Sequence, residues 1–232
     1  MNDKNKIIAS IDKLNALYSQ SPIVKGLLDG GLSFIPFLGS AITSALDTRI
    51  SQIYEQNSKE FSEEVKFLVN QLDETKIDKQ FLESEEFVSL LIETLSRNAR
   101  TYEREKTKLF ATIFVNATML GNSTVSYKEG FLQIIDALSV AHIDIFACVY
   151  EKSLELKKTD MNVNRGFILD EEIAEVTGIN KDTIQAYCAH MMRFGLLYDP
   201  TVGRYGHKGP GKYNITAYGN EFAEFLKTKD MQ

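Results

Sequence analysis

From Ser40 to Thr75 the chain holds neither proline nor glycine, so nothing in that stretch breaks a helix. Its apolar residues Ile42, Leu46, Ile50, Ile53, Phe61, Val65, Leu68 and Leu72 are spaced 4, 4, 3, 8, 4, 3 and 4 apart, the period of one helical face. The stretch predicts a single helix of about 35 residues, on the order of 50 Å long. The gap of eight falls around Asn57, where a break is the alternative. A helix of that length needs partners to cover its seam. Ile7, Ile8, Ile11, Leu14, Leu17 and Tyr18 repeat the pattern until Ser19-Gln20-Ser21-Pro22, because the residue before proline is pushed out of the α region. It returns in Phe81 to Leu95, Leu109 to Phe114 and Phe131 to Leu138. Glu103, Arg104, Glu105, Lys106 and Lys108 mix signs within two turns and read as a solvated face, its i,i+3 and i,i+4 pairs worth about 0.2–0.5 kcal/mol each. Gly121-Asn122-Ser123 is a turn, and nothing before residue 138 reads as a strand. Residues 1–138 are therefore expected to form a multi-helix domain.

Composition narrows the class. In 232 residues, 44% are hydrophobic and 25% charged, the balance of a soluble globular chain. Two cysteines are too few for a disulfide scaffold or a four-cysteine zinc site, and a reducing cytoplasm is the expected setting. No long apolar run follows Met1-Asn2-Asp3-Lys4-Asn5-Lys6, so no secretory signal is read there. With 26 Lys+Arg against 32 Asp+Glu the formal charge is −6, and binding to nucleic acid or an anionic membrane needs a local basic patch. One segment stands apart: Gly30 to Leu46 is seventeen residues without a charge. Spanning a bilayer takes about 20 apolar residues, and Pro36 and Gly39 interrupt this run. It reads first as a buried turn leading into the long helix. A membrane-inserting hairpin and a dimer interface are the alternatives, and the helical domain is the expected site of homo-oligomer contacts.

The last third of the chain has a different grammar. Ser139 is placed to cap a helix from Val140 to Leu156, with Ile143, Phe146, Val149 and Tyr150 as its apolar stripe. Lys157 to Gly166 is a polar loop. Asp170 to Val176 is a short helix with carboxylates in its first turn, where the helix dipole favours them. Thr177-Gly178-Ile179-Asn180 is a tight turn: Gly178 suits a left-handed position, Ile179 is expected in the core, and Asn180 caps the next helix. That helix, Lys181 to Phe194, carries Ile184, Cys188, Met191 and Phe194 on one face and stops at Gly195. Leu196-Leu197-Tyr198 and Lys212 to Thr216 read as strands flanking a glycine-rich excursion, and Ala217 to Lys227 as a closing helix.

The run Ile173-Ala174, Gly178-Ile179, Thr183-Ile184, Phe194-Gly195-Leu196-Leu197, Ile215-Thr216 and Tyr218-Gly219 resembles the winged helix-turn-helix family of bacterial DNA-binding domains. The resemblance spans roughly Ser139 to Lys227, with residues 139–232 as the second domain, and departs from the usual leucine at Cys188. It implies a mainly α protein whose second domain carries a small β-hairpin wing. It also implies that the second helix of the pair enters the major groove of duplex DNA while the wing follows the backbone. Carried onto this chain, the DNA-binding residues are Lys181, Thr183, Gln185, Arg193, Arg204, His207, Lys208 and Lys212. Gln185 is the expected reader of an adenine edge, and Lys181 or Arg193 is expected to meet guanine or phosphate. Lys181, Asp182, Gln185, Ala189 and Arg193 are the expected exposed face of the helix. Between His190 and Ile215 the net formal charge is three positive, the one local basic patch of an acidic chain.

The opening helix, the glycine–proline apolar turn, the long helix and the C-terminal module are also similar to bacterial abortive-infection alpha proteins. Lys108, Phe110, Ala111, Ile113, Phe131, Ile134-Ile135, Leu138-Ser139 and His142-Ile143 carry this weaker resemblance, which implies a role in phage defence. No Gly-x-Ser-x-Gly and no Walker-type phosphate loop occurs, and His142, His190 and His207 have no ligand spacing. No catalytic residue, cofactor site or metal site is expected. The expected function is a non-enzymatic DNA-binding regulator with a helical dimerisation or sensing domain. The alternative is a defence or interaction module whose winged domain binds protein and whose apolar hairpin meets a membrane or partner.

Overall fold

The computed structural model describes residues 2–20, 40–122, 127–158, 167–200 and 211–227, with backbone alone at 17–20, 40–51 and 157–158. The described residues are mainly helical, with one small antiparallel sheet. They divide into two units, one ending at Asp136 and the other running Ala137–Lys227.

The first unit contains α1 (Asp3–Gln20), α2 (Ser40–Gln71), α3 (Lys79–Leu82), α4 (Glu85–Arg100), α5 (Arg104–Ala117) and α6 (Lys128–Ala137), whose last residue crosses the division. The 32-residue α2 is its axis and packs against α5, α4 and α1. Phe61, Val65, Leu68, Val69 and Leu72 bury its apolar seam, whereas Ile53 is half exposed. Phe61 meets Phe114 of α5 at 6.1 Å between ring centroids, and Phe87 of α4 meets the same ring at 5.7 Å.

Asn57 does not break the helix. Its buried amide donates to the carbonyls of Asn98 (3.2 Å), Ala99 (3.3 Å) and Thr101 (2.7 Å), and Asn98 donates back to the Asn57 carbonyl at 2.9 Å. The gap in the apolar pattern is thus a cap for the C-terminal carbonyls of α4, groups that a helix end leaves unsatisfied. The mixed-charge stretch also departs from expectation. Lys106 is buried, and its Nζ reaches the Asp136 carbonyl (3.1 Å) and Glu103 (3.2 Å), so it is not on the solvated face. A single bridge, Ile77 with Met119, is the only strand-like pairing among the described residues of this unit.

Residues 30–39 of the apolar 30–46 segment lie outside the described residues, and Ser40–Leu46 open α2. Among the described residues no single helix is long and apolar enough to cross a membrane.

The second unit runs α7 (Val140–Lys158), β1 (Ile168–Leu169), α8 (Asp170–Thr177), α9 (Lys181–Arg193), β2 (Leu197–Tyr198), β3 (Lys212–Ile215) and α10 (Ala217–Leu226). The sheet order is β1-β3-β2, all antiparallel, with Ile168 opposite Tyr213 and Leu197 opposite Ile215. Strand β1 has no counterpart in the sequence reading, because two residues are too short to show a period. Ile145, Phe146, Val149, Ile173, Ile184, Met191, Leu196, Phe222 and Phe225 are the core. Gly178 (φ 69°) and Gly195 (φ 72°) take the left-handed conformation that ends α8 and α9. Asn180 caps α9 by accepting from the Asp182 N–H at 2.8 Å. Ile179 is only half-buried. At the far end, Thr216 accepts from the Gly219 N–H at 2.8 Å to cap α10.

Candidate nucleic-acid interface

Helices α8 and α9, joined by the Gly178 turn, pack on each other and against α7 and the sheet. The apolar face of α9 is Ile184, Cys188 and Met191, all fully buried. Burial and then the negative charge of Asp170 push the Cys188 thiol up to about 12, so it serves as an apolar filler. The exposed positions of α9 are Asp182, Ala186, Ala189 and Arg193, four, three and four residues apart and hence on one face.

The centre of the site is a carboxylate absent from the expected DNA-binding set. Asp170 opens α8 and is fully buried. It accepts from Gln185 Nε2 (2.6 Å) and the Gly211 N–H (3.0 Å) at Oδ2, and from the Glu171 N–H (3.0 Å) at Oδ1. Lys181 Nζ lies 3.6 Å from Oδ1 and is ion-paired with Glu171. Burial pushes the Asp170 carboxyl up, but the hydrogen bonds and the Lys181 charge outweigh it and hold it below the usual carboxylate value. The Asp170 N–H in turn donates to the Gly211 carbonyl at 3.2 Å. One side chain thereby ties the start of α8, the first turns of α9 and the entry to β3. The sequence shows Asp170 only as a helix-opening acid. Its partners lie 15 and 41 residues away, and no local spacing reveals them.

The expected DNA-binding residues divide into three groups. Lys181 and Gln185 are drawn onto the Asp170–Glu171 pair. Thr183 is half-buried, Arg193 is exposed, and Lys212 is half-buried with its Nζ 4.7 Å from the Phe167 ring centre. Arg204, His207 and Lys208 lie outside the described residues.

Two histidines without ligand spacing in the sequence meet in the fold. His142 Nε2 and His190 Nδ1 are 3.2 Å apart, and the His142 ring stacks on Tyr187 at 3.9 Å. Ser139 anchors the other side of His142, its Oγ 2.7 Å from Nδ1. His190 therefore faces α7 and not the exposed face of α9. Among the described residues no group of three or more His, Cys, Asp or Glu is placed to hold a metal.

No protein-family model, curated protein or solved structure matches the chain.

Proposed function

We propose that the unit Ala137–Lys227 is a winged helix-turn-helix module that binds duplex DNA and that the protein is a DNA-binding regulator. The observation that carries the reading is the helix–turn–helix pair α8–α9 backed by a sheet whose strands β2 and β3 flank a glycine-rich, cation-bearing stretch. In such a pair the second helix lies in the major groove and a flanking ribbon follows phosphates. Arg193 on the exposed face of α9 and Lys212 at the start of β3 are the described cations that serve the backbone. Arg204, His207 and Lys208 stand between the two strands in the sequence. Fluorescence anisotropy of a labelled mixed-sequence duplex, titrated with the full chain at low salt, tests the reading. Saturable binding supports it, and a flat titration to tens of micromolar overturns it.

A second reading is favoured by the side chains that this unit leaves exposed. Asp182 puts a negative charge at the exposed tip of α9, while Val176 and Tyr198 are 63% and 44% exposed. An acid repels phosphate, and exposed apolar side chains suit a protein partner. The flat titration would favour this interaction role, within which phage defence is the biological setting that the weaker resemblance implies.

A further inference from the structure

We propose that the cleft between α2 and α5 binds a linear aliphatic polyamine. The proposal does not depend on the DNA reading and gives the helical unit a small-molecule ligand of its own.

The cleft has a volume of about 420 Å³, within the range of small-molecule sites. Glu60, Glu63 and Glu64 line it from α2, and Arg104, Glu105, Thr107 and Lys108 line it from α5. Glu60 lies 3.8 Å from Arg104 and accepts from Gln56 Nε2 at 2.9 Å. Among the described residues, Glu63, Glu64 and Glu105 make no hydrogen bond or ion pair. Four carboxylates against Arg104 and Lys108 leave the lining two charges negative. Like charges three and four residues apart on one helix repel, so a cation bound there would relieve them.

Thr107 adds an independent observation. It is 2% exposed, and its buried Oγ1 has no hydrogen-bond partner. A helical threonine can turn its hydroxyl back to the carbonyl four residues earlier, as Thr94 does to Leu90 (2.7 Å) and Thr177 to Ile173 (2.8 Å). Thr107 leaves that bond unmade, and its side chain lines the cleft. An unsatisfied buried hydroxyl is costly, and an ammonium N–H would supply its donor. Among the described residues no three acids converge to hold a metal ion, so a single-centre cation is a poor match. Carboxylates on one helix face are about 5–6 Å apart at Cβ, and amines separated by three or four methylenes match that spread. The methylenes would lie along the apolar stems of the lining side chains.

Calorimetric titration of the full chain at low salt with spermine, a linear tetraamine, tests the proposal. Saturable binding with a Kd below about 1 mM is expected, and butane-1,4-diamine should bind about tenfold more weakly. Thr107→Val removes the hydroxyl and should weaken spermine binding about tenfold without lowering the denaturant midpoint. Glu63→Gln combined with Glu64→Gln should also cost about tenfold, whereas Glu151→Gln, at an exposed position of α7, should change nothing. The absence of saturable heat overturns the proposal. So does displacement of spermine by magnesium chloride at equal charge, or an affinity indifferent to the Thr107 and Glu63–Glu64 variants, since either means diffuse attraction to an acidic chain.

Discussion

Burial works against the charge on Asp170, and its position is held only because Gln185, Gly211, Glu171 and Lys181 converge on its two oxygens. A carboxylate whose folded-state pKa is depressed contributes stability that is present above the unfolded value, about 3.9. That contribution is lost as pH falls through the lower folded value. Thermal melts between pH 6 and pH 2 should therefore show a loss of stability starting near pH 4 that Asp170→Asn reduces. At neutral pH the same variant should cost about 1–3 kcal/mol, since it replaces one acceptor oxygen with a donor facing other donors. Gly219 makes a separate claim. A Cβ there would run into the Leu196 carbonyl oxygen and approach Ile215 Cγ1 at 2.9 Å. Glycine-to-alanine within a helix ordinarily gains about 1 kcal/mol. Gly219→Ala should instead destabilise by about 1–3 kcal/mol, as overpacking does, whereas Gly178→Asn should cost little because asparagine tolerates the left-handed conformation. Urea unfolding of the two variants distinguishes these outcomes.

At the level of elements, the sequence shows helices readily and their polar joints poorly. Helix α9 is expected at Lys181 to Phe194 and ends at Arg193; α10 is expected at Ala217 to Lys227 and ends at Leu226. Periodicity, Asn180, Gly195 and Thr216 are local signals, and they suffice for this. Asn57, Lys106 and Asp170 are different. Each is polar, buried and satisfied by residues distant in the chain, so each reads locally as a flaw in a seam, a solvated charge or a helix-start acid. The candidate site suffers most, because whether Gln185 faces solvent or Asp170 depends on that tertiary contact. His142 and His190 are hidden for the same reason, being 48 residues apart in the chain. The role given to Asn57 is testable. Asn57→Ala removes the donor that serves three carbonyls at the end of α4 and should lower unfolding stability by about 1–3 kcal/mol, read from the shift of a denaturant midpoint. Asn57→Leu would restore the apolar period yet should be no better, because the carbonyls stay unserved.

For the whole molecule, a net charge of −6 opposes association with DNA, so the proposed binding depends on a few local cations and must be sensitive to salt. Arg193, Arg204, Lys208 and Lys212 are the four groups assigned to phosphate. Four neutralised phosphates give a slope of roughly −3.6 in log affinity against log salt. The most direct measurement is anisotropy of a mixed-sequence duplex with the full chain at two salt concentrations. Raising salt from about 50 to about 200 mM should weaken binding on the order of 100-fold, and Arg193→Ala should flatten the slope by about one unit. An absence of binding at the lower salt by folded protein at tens of micromolar, or an affinity indifferent to salt, would contradict the account.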